Sequence, residues 1–384
     1  MPESRTLSAY VHVPYCRVRC GYCDFNTYTA TELRGTKQAD FVDHIDAEIA
    51  IARSRLDELN DHRALSTVFF GGGTPTLLPV EDLVHTVARL RQTFGIETGA
   101  EVTVEANPDS VDEAYLRELF EGGVTRVSFG VQSAVPEVLA VLDRTHSPER
   151  VPVVVAAAKN IGLDVSVDLI YGAPGETMEQ WKKSLDLVRA LDVDHVSAYS
   201  LIVEDGTALE RRIRRGELAL PDANLQADMY EEADRAFESM GLSWYELSNW
   251  SSSDSTVSRH NMAYWLNQDW WGFGAGAHSY LNGRRWWNVK HPAAYATRVM
   301  QGLSPEQDGE YPNPEQSQLE KVLLATRLKS GLPVSELDES VRSEVVRLVA
   351  DGLIEPIGSL PTDRVVLTLQ GRLLADAVVR RLTT

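Results

Sequence analysis

Short apolar runs alternate with amphipathic stretches from residue 8 to about residue 201. The runs at 9–13, 67–70, 101–105, 126–129, 164–169 and 195–199 predict strands. Between them, Phe41, Ile45, Ile49 and Leu56 recur at a helical period, as do Leu83, Val87, Leu90 and Phe94, and then Leu185, Val188 and Leu191. Repeated βα units predict a parallel sheet with right-handed crossovers. Six such units, with no clear seventh or eighth, imply an α/β fold built as a partial (β/α)6 barrel of the TIM-like kind rather than a complete eightfold one.

The pattern changes beyond residue 205. Aromatic residues concentrate there, among them Trp244, Trp250, Tyr264, Trp265, Trp270, Trp271, Trp286 and Trp287. The serine-rich stretch 251–255 reads as a loop, and Pro312-Asn313-Pro314 as a linker. Helices are expected at 316–328, 334–337 and 340–351, a strand at 365–369 and a last helix after it, a winged-helix-like order. The expected division is a barrel core over 1–205, an α/β continuation over 206–312 and a C-terminal helical or winged-helix-like module over 313–384.

Charge narrows the functional classes. A net charge of −19 over 384 residues repels phosphate backbones, so nucleic acid is not an expected partner. The basic cluster Arg211-Arg212-Ile213-Arg214-Arg215 reads as a solvated helix face, or else as a local anion patch. No run approaches the about 18 apolar residues of a membrane span, and the first fifteen residues hold no apolar leader core, so a cytoplasmic protein is expected. The three cysteines fall within eight residues, an odd number at close spacing that suits a metal site in a reducing compartment better than disulfides.

Those cysteines are Cys16, Cys20 and Cys23, in a C-x3-C-x2-C loop just after the first predicted strand. Thiolates are soft ligands that suit iron–sulfur clusters, and three of them leave one iron of a [4Fe–4S] cluster open to a cofactor. Arg17 and Arg19 are placed to stabilise the thiolates. Zinc, with His12 as a fourth ligand, is the competing reading. Gly71-Gly72-Gly73-Thr74-Pro75-Thr76 follows the second strand, and its glycines let backbone approach a ligand closely. No Gly-Lys-Ser/Thr follows, so it is not a phosphate-binding P-loop. Glu105, Gln132 and Asp168 stand at three successive strand ends, where barrels carry their active sites, and Arg144 lies a little downstream of Gln132.

This arrangement resembles the radical S-adenosylmethionine superfamily. YVHVPYC, GGGTPT, GVQS, DLIYGAPGET and GFGAGAHSY closely resemble its oxygen-independent coproporphyrinogen III oxidase group over nearly the whole chain. The resemblance implies a [4Fe–4S] cluster on Cys16, Cys20 and Cys23. It also implies S-adenosylmethionine held by Tyr10, Tyr22, Gly72, Gly73, Thr74, Glu105, Gln132, Arg144 and Asp168, with the GGGTPT loop at the cofactor's amino group and Glu105 at its ribose.

Two branches of that group compete. The coproporphyrinogen III dehydrogenases, radical oxidative decarboxylases, carry a further cysteine two positions past the third and an N-terminal extension. This chain has Phe25 there and only nine residues before Tyr10. It is similar instead to the HemW-type heme chaperones, which share the phenylalanine and an H-N-x-x-Y-W motif, here His260-Asn261-Met262-Ala263-Tyr264-Trp265. That branch implies heme, with His260 as its ligand, an apo-hemoprotein client, a reductant such as flavodoxin or ferredoxin, and a possible homodimer. Imidazole is a standard axial ligand of heme iron, although a lone histidine is commonly a satisfied core or surface residue. Gly272–His278 is G-x-G-x-G without a surrounding strand–turn–helix unit, and reads as a tight barrel-end turn rather than a dinucleotide site.

Overall fold

A computed structural model describes residues 5–33, 35–358 and 363–383. Met1–Ser4, part of the segment read for a leader, lie outside them. The first six strands are β1 (Leu7–Val13), β2 (Leu65–Gly72), β3 (Ile96–Ala106), β4 (Arg126–Gln132), β5 (Asp164–Tyr171) and β6 (His195–Ser200). The helices between and after them are α1 (Phe41–Glu58), α2 (Val80–Phe94), α3 (Glu113–Glu121), α4 (Pro136–Val141), α5 (Arg150–Ile161), α6 (Met178–Leu191), α7 (Ala208–Arg214) and α8 (Ala223–Ser239). All six strands pair in parallel and in sequence order.

The sheet does not stop there. β7 (Ser243–Glu246) and β8 (Asn249–Ser251) extend it antiparallel beyond β6. At the other edge β9 (Asp269–Phe273) lies parallel to β1 and leads antiparallel into β10 (His278–Leu281), β11 (Arg284–Asn288) and β12 (Glu306–Glu310). The twelve-stranded sheet among the described residues runs β12-β11-β10-β9-β1-β2-β3-β4-β5-β6-β8-β7, an open and therefore partial barrel. β9 is a seventh parallel strand that the sequence pattern did not reveal, because Asp269-Trp-Trp-Gly-Phe273 has three aromatics but no apolar–polar alternation, and its aspartate and glycine weaken the strand signal.

One hydrophobic core sits between this sheet and its helices, with Ile45, Leu83, Leu116, Val154 and Trp181 buried against Val68, Val104, Phe129 and Val167. Two helices follow in the extension, α9 (Arg259–Trp265) and α10 (Pro292–Met300). Glu48 of α1 ties that extension in place. Its carboxylate accepts from Gly274 N at 2.7 Å, Asn288 Nδ2 at 2.7 Å and Tyr295 Oη at 2.5 Å.

The C-terminal residues build a second core of their own around Val322, Leu332, Leu348, Val365 and Val378. Its elements are α11 (Pro314–Thr326), α12 (Arg342–Ala350), α13 (Leu369–Leu373) and α14 (Ala375–Thr383), with a two-stranded ribbon of β13 (Leu332–Pro333) and β14 (Arg364–Val365). Two expectations change here. Of residues 334–337 only Val334–Glu336 coil, as a short 3-10 turn instead of a helix, and the strand at 365–369 covers only Arg364–Val365, because Thr368 caps the helix that begins at Leu369. Arg372 latches this module to α8 through Asp234, at 2.6 and 2.8 Å, and stacks over Trp244 at 4.5 Å.

Glu48→Ala strands three donors in the interior, so it is expected to cost about 3 kcal/mol of stability. Urea unfolding of the variant beside the parent checks this.

Candidate radical cofactor site

Along β3 to β6 alternate residues are apolar and pack outward under the helices. The residues between them face one common cavity: Thr103 and Glu105, Arg126 and Ser128, Ser166 and Asp168, then His195 and Ser197. Central strands of a parallel sheet are ordinarily apolar on both faces, so this polar stripe marks a wet interior. The cavity holds about 650 Å³ and runs from the cysteine loop, at the C-terminal ends of the strands, down to α9 at their N-terminal ends.

All three cysteines stand free on the rim, half-buried. Their loop is pinned at several points. Cys16 N donates to Tyr28 O at 3.0 Å, Gly21 N to Leu142 O at 3.0 Å, and Asn26 Nδ2 to Ala275 O at 3.0 Å. Burial pushes the Cys16 thiol up to about 11, with the neighbouring thiols adding to the rise. A cationic or metal partner is what would hold such a group as thiolate. The nearest cation differs from the expectation. Arg19 turns away to Thr27 O and Glu32, and Arg17 makes no hydrogen bond or ion pair among the described residues. Arg144 instead donates from Nη1 to Cys20 Sγ at 3.5 Å.

The zinc alternative loses its fourth ligand. His12 is engaged at both ring nitrogens, with Tyr10 Oη and Asn26 O, each at 2.9 Å. Among the described residues no three His, Cys, Asp or Glu are grouped so as to hold a single metal ion.

The glycine loop runs beside the cysteines. Gly73 N donates to Val13 O and Thr74 N to Tyr15 O, each at 2.8 Å. A Cβ on Gly73 would fall 2.5 Å from Tyr15 O, and Gly72 adopts φ +111°, so neither position tolerates a side chain easily. Glu105 Oε2 accepts from Gly72 N at 3.2 Å, which joins this loop to the end of β3. Burial, reinforced by Asp168, pushes the Glu105 carboxyl up to about 8. Asp168 is also raised by burial, and it accepts from Ser128 Oγ at 3.0 Å.

Gln132 sits at a bulge ending β4 with φ +61°, a left-handed conformation that non-glycine residues adopt at a cost. Arg144 Nη2 donates to Gly130 O at 2.9 Å, and its enclosed Nε finds no acceptor. Tyr22 and Tyr10 line the same cavity. The structure thus brings every residue expected at the cofactor to one cavity.

The floor is α9, the helix of the H-N-x-x-Y-W motif. Glu101 of β3 accepts from Arg259 N and His260 N, both at 3.0 Å, and pairs with Arg126 at 3.4 Å. His260 is therefore at the floor, 2% exposed, with Nδ1 2.7 Å from Thr67 Oγ1 and Nε2 2.9 Å from Tyr264 Oη. Its ring stacks on Phe69 at 5.0 Å, and burial lowers its pKa to about 3. Both ring nitrogens thus have hydrogen-bond partners at the cavity floor. Other lumen residues escaped sequence reading: Thr103, Arg126, Ser166 and His195, whose Nε2 meets Tyr245 Oη at 2.8 Å. The period-two polar stripe was the signal that would have found them. The basic cluster 211–215 proves to be a solvated face, with Arg214 paired to Glu210 and Arg215 to Glu217.

Comparison with known proteins agrees with this geometry. The model of the Radical SAM superfamily matches residues 10–188. The HemW heme chaperone of Mycobacterium tuberculosis is 45% identical over 374 residues, covering 97% of this chain and 94% of that protein. The chain belongs to the HemW heme chaperone family. The Bacillus subtilis heme chaperone HemW is 33% identical and covers 97% of both chains. Among solved structures, the radical SAM coproporphyrinogen III oxidase HemN of Escherichia coli superposes with a TM-score of 0.82 at 23% identity, over 99% of this chain and 91% of that one, a likeness of fold.

Glu105 carries a pH prediction. Its carboxyl is raised from 4.5 to about 8 in the folded protein. The unfolded chain therefore releases this proton first, and stability should fall as pH rises through that window. Glu105→Gln, which cannot ionise, should flatten the fall. Melting temperatures of cofactor-free protein at several values across that pH window test it, and parallel curves for parent and variant would refute the assignment.

Proposed function

We propose that this chain is a heme chaperone that binds heme and passes it to apo-hemoproteins, and that it carries a [4Fe–4S] cluster with S-adenosylmethionine at the barrel mouth. The observation that carries this reading is the 45% identity to a heme chaperone over nearly the full length of both proteins. Phe25, standing where the decarboxylating branch has a cysteine, supports the same choice.

The residues present suit both cofactors. Three free thiols on one pinned loop form an all-sulfur donor set, and Arg144 supplies positive charge beside Cys20. The cavity-lining backbone of Gly72, Gly73 and Thr74 suits the cofactor's amino group, Glu105 its ribose hydroxyls, and the guanidinium of Arg144 its carboxylate. Tyr10, Tyr22, Gln132 and Asp168 complete the enclosure. When bound, the cluster supplies an open iron position and a source of one electron for the sulfonium. The chain's own contribution is to exclude water and fix the cofactor's orientation.

Heme, an apo-hemoprotein and a reductant of the flavodoxin or ferredoxin kind are the partners this reading requires, and a homodimer is the assembly we expect. No helix among the described residues is long and apolar enough to cross a membrane. With its free thiols, this fits a reducing cytoplasm.

His260 serves this reading as a floor post. Removing it strips Thr67 and Tyr264 of a partner, so His260→Ala should lower the melting temperature while heme still binds. Anaerobic titration of the reconstituted protein with heme, followed by its Soret band, measures the binding. Failure of the parent to bind heme, or conversion of coproporphyrinogen III to protoporphyrinogen by the reduced protein, would sink the chaperone reading.

A further inference from the structure

The cavity mouth carries an apolar rim. Phe25 is 61% exposed, Val18 51% and Ile202 66%, and all three line the same cavity as the cysteines. Val18 lies within the cysteine loop and Phe25 just after it, whereas Ile202 comes from the segment after β6. Large apolar side chains at such exposure, gathered from two separate segments around one opening, mark a surface that meets a ligand or partner. The pinned cysteine loop holds Phe25 outward: Thr27 N donates to Phe25 O at 2.8 Å, and Asn26 is fixed to Ala275 and Lys290.

Charge at the rim is uneven. Asp24 and Glu204 make most of it anionic. Arg17 is the exception, a cation on the rim with no hydrogen bond or ion pair among the described residues, in a chain of net charge −19. An unpaired guanidinium in that setting is a site of attraction for a carboxylate.

We propose that heme docks at this mouth, its macrocycle against Phe25, Val18 and Ile202 and a propionate on Arg17, and that its iron is not held by His260 at the floor. The proposal rests on the heme-chaperone reading and places the heme within it. Heme is flat and apolar with its propionates on one edge, and the rim offers apolar faces with one unpaired cation. The floor offers the opposite: a histidine with both nitrogens satisfied, on a helix clamped by Glu101. Phe25 is then a specificity residue that gives the cysteine loop an apolar face for a finished heme.

The test is Soret titration of the cluster-loaded protein with heme, with iron and sulfide content measured on every variant. Phe25→Ser and Ile202→Ser should each weaken heme binding roughly tenfold, as loss of one buried apolar side chain implies. Ile202 is remote in sequence from the cysteines, so its variant decides the matter if Phe25→Ser loses its cluster. Arg17→Glu should weaken heme by about tenfold and leave heme dimethyl ester, which lacks the carboxylates, unaffected. Unchanged affinity in the Ile202 and Arg17 variants overturns the docking site, as does loss of heme in His260→Ala with the fold intact. A parent protein that binds no heme overturns the chaperone reading itself, and this placement with it.

Discussion

A parallel sheet with a polar inner face must give each of its inward groups a partner, a ligand or water, because an unmet polar group in the interior costs more than a hydrogen bond gains. That constraint organises this protein. The outer residues of β1 to β6 build a core with the helices, and the inner ones line a chamber. The chamber needs a floor, which α9 provides. Glu101 satisfies the first free N–H groups of that helix and is itself neutralised by Arg126. Thr67 and Tyr264 then satisfy the histidine above. Side chains of the H-N-x-x-Y-W motif complete the polar lumen that the strands began.

At the mouth the same burial acts on chemistry. Desolvation raises the Cys16 thiol and the Glu105 carboxyl together. The thiols therefore favour a partner that supplies positive charge, and the carboxyl stays neutral enough to sit beside Asp168. Arg144 is the local compensation, reaching from the segment after α4 to both Cys20 and Gly130. Gly72, Gly73 and the left-handed Gln132 keep backbone close to this space, where side chains or regular pairing would fill it.

Much of this was legible in the sequence, and the rest was not for definable reasons. The six strands, their parallel order and the cysteine loop follow from local periodicity and spacing. The pairing of β9 with β1 does not, since it joins residues about 260 positions apart with no local mark of their contact. The choice of Arg144 over Arg17 and Arg19 depended on where side chains turn, which adjacency in sequence does not decide. His260 was singled out by its motif, but only the structure shows Thr67 and Tyr264 occupying its nitrogens. The strand expected at 365–369 failed at Thr368, whose hydroxyl caps a helix instead. The polar alternation in β3 to β6 was present in the sequence throughout, hidden because each inward residue looks ordinary alone.

The late position of β9 and α9 has a consequence for how the protein is made. The cysteine loop leaves the ribosome some 240 residues ahead of the helix that closes the chamber and of the strand that flanks β1. Contacts of such separation form slowly. During synthesis the three thiols are therefore borne by a chamber open at its base and unguarded along one edge. Assembly of the site consequently waits for α9 and β9, and newly made chains depend on a reducing environment until these have closed around it.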